Sequence, residues 1–274
     1  MIGTLFGQEF RTTKRTLLPA VGVMLLLILA SYAIAALKVP FIAGFAFGLG
    51  IGVTIVFTPV VLAVLIANYW RTMYGAEGYF TMTLPVRGRA IYAGKVLHGL
   101  VMSLAALLIT IGGLALAAIA FALMKGQGAF DFLREALTTI DPWMAWLIGG
   151  AIVLQLVFSV IGGATAMSVG AEARFNHLGF GAPVIGTIVL YFVMQIVNLA
   201  GLLFIPLGIR MTGPDAGSLV AEGMLTDFMA AIADPAANAT PSVLGLGVFI
   251  MPFVAAVLLW WWGARSVDRR TSLR

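Results

Sequence analysis

The chain has 274 residues, of which 61% are hydrophobic and only 10% charged, with a mean hydropathy of +1.06. Soluble domains are roughly half apolar and a quarter charged, so this composition excludes one and indicates an integral membrane protein. Zero cysteines exclude a disulfide framework, an iron–sulfur cluster and thiol chemistry, two histidines (His98 and His177) make a zinc site hard to assemble, and the net charge of +5 is absorbed by membrane orientation without a nucleic-acid partner.

A hydrocarbon core takes about 20 apolar helical residues. Residues 1–16 precede the first apolar run, and Leu5, Phe6, Phe10, Lys14 and Arg15 fit a short amphipathic helix lying at the interface. Six spans follow, at about 17–37, 41–70, 91–124, 143–171, 178–207 and 243–264, and residues 265–274 form a basic tail. The first run lacks a small-residue cleavage site and is read as a retained helix. The expected fold is therefore an all-α polytopic membrane protein with six transmembrane helices.

Lys and Arg concentrate in short cytoplasmic loops. With the N-terminus inside, twelve of the sixteen basic residues and four of the eleven acids are cytoplasmic, a net +8. The outer side then holds four basic residues and seven acids, a net −3, so both termini are placed in the cytoplasm.

The second span carries Gly44, Gly48 and Gly52 at four-residue spacing, a stripe that lets another backbone approach, either in helix packing or in a subunit contact. Pro59 is expected to kink the same span. Next comes a polar window, residues 71–89, with three arginines, Glu77, three glycines and Pro85 between two apolar runs. Its position puts it in the cytoplasm.

The first outer loop has a short helical pattern from Phe130 to Thr139. In the fourth span Gln155 and Ser159 form a small polar pair. In the fifth, Thr187, Tyr191, Gln195 and Asn198 fall on one helix face, which reads as interhelical hydrogen bonding or as one wall of a transport path. In the second outer loop a helix is expected to start at Pro214-Asp215, with Val220, Met224, Leu225, Phe228, Met229 and Ile232 on its apolar face, and to stop at Asp234-Pro235. Asn238-Ala-Thr240 matches a glycosylation acceptor, a tripeptide common by chance. Trp260-Trp261-Trp262 before Arg265 matches an interfacial aromatic belt.

Gly88 to Lys95 approaches a phosphate-binding loop but has one residue too many between its glycines and a Val where the hydroxyl should be. Intramembrane-protease motifs are absent, and no acid falls in the apolar core of a span, which argues against a proton-coupled pump.

The run Tyr74-Gly75-Ala76-Glu77-Gly78-Tyr79-Phe80-Thr81-Met82-Thr83-Leu84-Pro85-Val86, followed by Lys95, resembles the loop after the second span of ABC-2-type permeases, the membrane subunits of bacterial ATP-binding-cassette exporters. Met167-Ser-Val-Gly170 is a second, weaker likeness. The resemblance implies that residues 74–84 form a cytoplasmic coupling helix in a groove of a separate ATPase subunit, with Tyr74, Gly75, Glu77, Gly78, Tyr79, Phe80 and Leu84 as coupling residues. It further implies a second permease, identical or related, a bacterial cell membrane, ATP and Mg bound by the partner and no cofactor or catalytic site in this chain. An amphipathic or apolar cargo is expected: a drug, an antimicrobial peptide or a lipid. The alternative, a channel or secondary carrier not linked to ATP, is expected to carry an inverted repeat, and none is apparent between residues 1–124 and 143–264.

Overall fold

The computed structural model describes residues 2–75, 78–83, 85–234 and 241–269. Six helices are long and apolar enough to cross a membrane, consistent with an all-α polytopic membrane protein. The chain divides after Asp141 into two compact units, each built on three of these helices.

In the first unit α1 (Ile2–Ala36), α2 (Ile42–Met73) and α4 (Gly88–Lys125) pack mutually, with α3 (Gly78–Met82) between α2 and α4 in sequence and α5 (Ala129–Thr139) against α4. The expected separate helix over residues 1–16 is instead the first turns of α1, which runs on through Pro19. The reason is packing: Thr13 and Leu17 are both buried, so tertiary contacts span the junction between polar and apolar sequence and no break is needed. In the core Phe57 and Ile28 are fully enclosed, and the Tyr32 hydroxyl meets Thr54 Oγ1 at 3.0 Å. A Cβ on Gly113 would lie 2.7 Å from Thr54 Cγ2, so α4 reaches α2 closely only as glycine. At its far end α4 closes on Gly126 in the left-handed region (φ 74°), whose N–H reaches the Ala122 and Leu123 carbonyls.

The second unit holds α6 (Pro142–Gly170), a 3-10 turn (Ala173–Leu178), α7 (Gly181–Phe204), α8 (Leu225–Ala233) and α9 (Gly247–Arg269). Pro142 opens α6, where a missing N–H costs nothing. Between α7 and α9 the chain adds one small non-helical element that the sequence pattern does not show. A three-stranded antiparallel sheet, ordered β2-β1-β3, joins β1 (Gly208–Arg210), β2 (Leu219–Val220) and β3 (Val243–Gly245). The helix expected from Pro214 therefore begins only at Leu225, because Val220 is taken into β2. The pattern-based helix from Phe130 to Thr139 matches α5 closely.

The α7–α9 crossing depends on two glycines. A Cβ on Gly247 would overlap the Gly201 carbonyl, so the two backbones meet without intervening side chains. Above the crossing, Asp227 on α8 accepts from Ser242 N and Oγ (2.7 Å each) and from Val243 N (3.3 Å), pinning the start of β3.

Candidate functional site

The polar window begins where α2 ends. Tyr74 N and Gly75 N both reach the Trp70 carbonyl, at 2.9 and 3.0 Å, and Gly78 N reaches the Gly75 carbonyl at 2.9 Å. A Cβ on Gly75 would lie 2.8 Å from the Arg71 carbonyl, so glycine permits this close reversal. Tyr74 packs beside Tyr69 and Trp70, with ring centroids 6.2 and 5.5 Å away. The helical segment that follows is a single turn, α3, in which Gly78 is buried and Tyr79 is 56% exposed. Glu77 and Leu84, both named as coupling residues, lie outside the described residues, as does the side chain of Phe80.

This turn is tied to a buried polar cluster. Thr81 Oγ1 donates to the Thr72 carbonyl (2.7 Å), and Thr72 Oγ1 donates to the Asn68 carbonyl (2.8 Å) while accepting from Lys95 Nζ (2.7 Å). The Thr72 hydroxyl thus uses its one proton and accepts another. Lys95 Nζ also meets Glu9 Oε1 at 2.5 Å. The side chains of Lys95 and Glu9 are 4% and 16% exposed, so this ion pair is largely removed from solvent. One turn further along α2, Asn68 Nδ2 donates to the buried Thr13 Oγ1 (3.0 Å), and Arg71 donates to Asn68 Oδ1 (3.1 Å). Phe6 meets the buried His98 ring edge-on at 5.4 Å.

Sequence pattern does not reveal this cluster: Glu9 falls within the N-terminal segment 1–16, and Lys95 follows the polar window. Its signal was a single lysine among Ile91, Tyr92 and Val96, with no acid in its own helix. A buried lysine needs a carboxylate partner, and the acid that supplies it is 86 residues away.

The remaining candidate residues are not gathered there. Gly44, Gly48 and Gly52 are exposed, with nothing within 4 Å of a Cβ placed on any of them. The close packing of α2 falls instead on Gly50, where a Cβ would lie 2.6 Å from the Tyr32 ring. On α7, Thr187, Tyr191 and Gln195 are exposed and Asn198 half-buried. Thr187 Oγ1 donates to the Pro183 carbonyl of its own helix (2.9 Å), and Asn198 Oδ1 is buried with no hydrogen-bond partner among the described residues. Ser159 likewise donates to Gln155 O, at 2.8 Å. The Asn238–Thr240 tripeptide lies outside the described residues.

The second unit has a smaller polar cluster at the end of α6. Glu172 is buried, receives Arg174 Nε at 2.9 Å and lies 3.0 Å from Ser266 Oγ of α9. Among the described residues no group of three or more His, Cys, Asp or Glu side chains is placed to hold a metal ion. Comparison with protein-family models, with curated proteins and with solved structures returned no match to this chain.

Proposed function

We propose that this chain is the permease subunit of a bacterial ATP-binding-cassette exporter, driven by a separate ATPase that binds ATP and Mg and paired with a second permease in the cell membrane. The observation that carries the reading is the bonded path from the polar window into the helices: Thr81 to Thr72, Thr72 to Lys95, and Lys95 to Glu9. A partner that displaced α3 would act on α2 directly, on α4 through Lys95 and on α1 through Glu9. A short turn bounded by Gly75 and Pro85, with Tyr79 exposed, offers such a partner a rigid handle.

Two further observations support parts of the proposal. Among the described residues nothing lies within 4 Å of a Cβ built on Gly44, Gly48 or Gly52, which leaves room there for a contact with a second permease. The exposed Thr187, Tyr191 and Gln195 put polar atoms on an outward side of α7, which suits one wall of a path for an amphipathic or apolar cargo.

The test is reconstitution with a soluble ATPase encoded beside this chain. The pair is expected to copurify, and Glu77→Ala or Gly78→Pro to uncouple ATP hydrolysis from transport while membrane insertion stays normal. Transport by the chain with no ATPase present would overturn the proposal, and unchanged coupling in both variants would remove the coupling role of the window.

A further inference from the structure

The second unit contains a groove that the exporter reading does not use. It has a volume of about 390 Å³, is bounded by α6, α7 and α9, and has Phe175, Leu178, Gly186, Val189, Leu259 and Trp262 in its walls. Its one hydroxyl, Thr165 Oγ1, is directed to the Leu259 carbonyl at 2.9 Å. Such a lining offers an occupant apolar contact and almost no hydrogen bonding, which suits a hydrocarbon chain. A second hollow of about 250 Å³ adjoins it through Trp262 and is bordered by Trp261, Arg265 and Ser266.

One end of the groove is cationic. The Arg174 guanidinium stacks on Phe175, 4.6 Å from the ring centroid, and Arg265 stacks on Trp261 at 5.6 Å. Both arginines belong to the same end of the unit, because Ser266 beside Arg265 reaches Glu172 (3.0 Å), and Glu172 holds Arg174 through Nε (2.9 Å). That ion pair uses one nitrogen of the guanidinium fork. The side chain remains 54% exposed. Arg269 follows Arg265 by one turn on α9, and Asp268 between them is an exposed acid on the same helix end.

We propose that this groove binds an anionic phospholipid, with an acyl chain along Phe175, Gly186, Val189 and Trp262 and the phosphate at the arginine end. Basic pockets between membrane helices hold anionic headgroups by this combination of apolar wall and cationic rim. Glu172 keeps Arg174 at the mouth, and the stacked aromatics hold both guanidinium planes in place. The site is independent of any ATPase.

The experiment uses the full chain in detergent, titrated with phosphatidylglycerol or phosphatidylcholine of identical acyl chains and followed by native mass spectrometry. Phosphatidylglycerol is expected to remain bound at lower concentration. Arg265→Gln should weaken it about fivefold, the weight of one cation near an anionic surface, and leave phosphatidylcholine unchanged. Arg265 is chosen because neutralising Arg174 would strand the buried Glu172. Gly186→Leu puts a side chain where nothing lies within 4 Å of the Cβ and should weaken both lipids. If that variant fails to fold, Val189→Trp, at a position 54% exposed, replaces it. Equal retention of the two lipids with Arg265→Gln silent would overturn the headgroup assignment. Unchanged binding in a folded groove-filling variant would overturn the groove as the acyl-chain seat.

Discussion

The Glu9–Lys95 pair joins the N-terminal segment to the membrane helices, and breaking it tests both the geometry and the coupling path. The perturbations are Glu9→Gln, Lys95→Met and the double variant. Lys95 Nζ meets Glu9 Oε1 at 2.5 Å and Thr72 Oγ1 at 2.7 Å, and its side chain is 4% exposed. Removing one member of such a buried pair leaves the other charge uncompensated, at a cost of about 3–5 kcal/mol. Glu9→Gln should fall at the lower end, since Lys95 keeps Thr72 and the amide oxygen still accepts. Lys95→Met should cost a similar amount, moderated because Glu9 is 16% exposed and can draw on water. The double variant removes both charges and should recover part of the loss, giving a coupling energy of about 1–3 kcal/mol. The assay is unfolding of the purified protein in mixed micelles of increasing denaturing detergent, run at low and high salt. Buried charges are poorly screened, so the coupling should be nearly independent of salt. Single-variant effects below about 1 kcal/mol that vanish in salt would match a surface pair and refute the buried arrangement.

Two other outcomes follow from the second unit. Gly247→Ala drives a Cβ into the Gly201 carbonyl, where only backbone can yield, and should destabilise by roughly 1–3 kcal/mol or more. Gly201→Ala, whose nearest obstacle is the flexible Met251 side chain at 2.5 Å, should cost less, and thermal unfolding of the two variants compares them. Hydrogen bonds from the Ser242 side chain, then from the Ser242 and Val243 backbone, hold the Asp227 carboxyl below its usual range. Its folded pKa is depressed, so its stabilisation is complete above the ordinary carboxylate range and is lost as pH falls through the folded value. Hydrogen exchange at β3, corrected for intrinsic rates, should rise in acid for the wild type. In Asp227→Asn it should be raised already at neutral pH and lack that acid dependence. The group is half-buried and its bonds lie within this cap, so the change should be small and local.

Local pattern accounts for much of the fold. Runs of about 20 or more apolar residues mark the six helices long and apolar enough to cross a membrane, because burying a helical backbone in lipid requires that length and composition. Ala129–Thr139 was legible for a similar reason, as its periodicity and breakers are contained in one segment. The sheet was not. Its strands are two or three residues long, too short for alternation to register, and β1 is joined to β3 across more than thirty residues.

The candidate site divides in the same way. Composition alone marks residues 71–89 as a polar interruption between two apolar runs. What that window touches depended on tertiary structure, since Thr72, Lys95 and Glu9 come from three helices and no local periodicity links them. The glycine pattern on α2 was equally visible, yet spacing says only that one face is small. Whether Gly50 or the Gly44/Gly48/Gly52 stripe receives a neighbour is decided by helix rotation in the bundle, and Tyr32 packs against Gly50. Sequence by itself determined a six-span membrane protein with one polar window. The fold decided that the window is bonded to a buried ion pair, because a charge buried beside apolar neighbours is compensated only by a partner that packing brings to it.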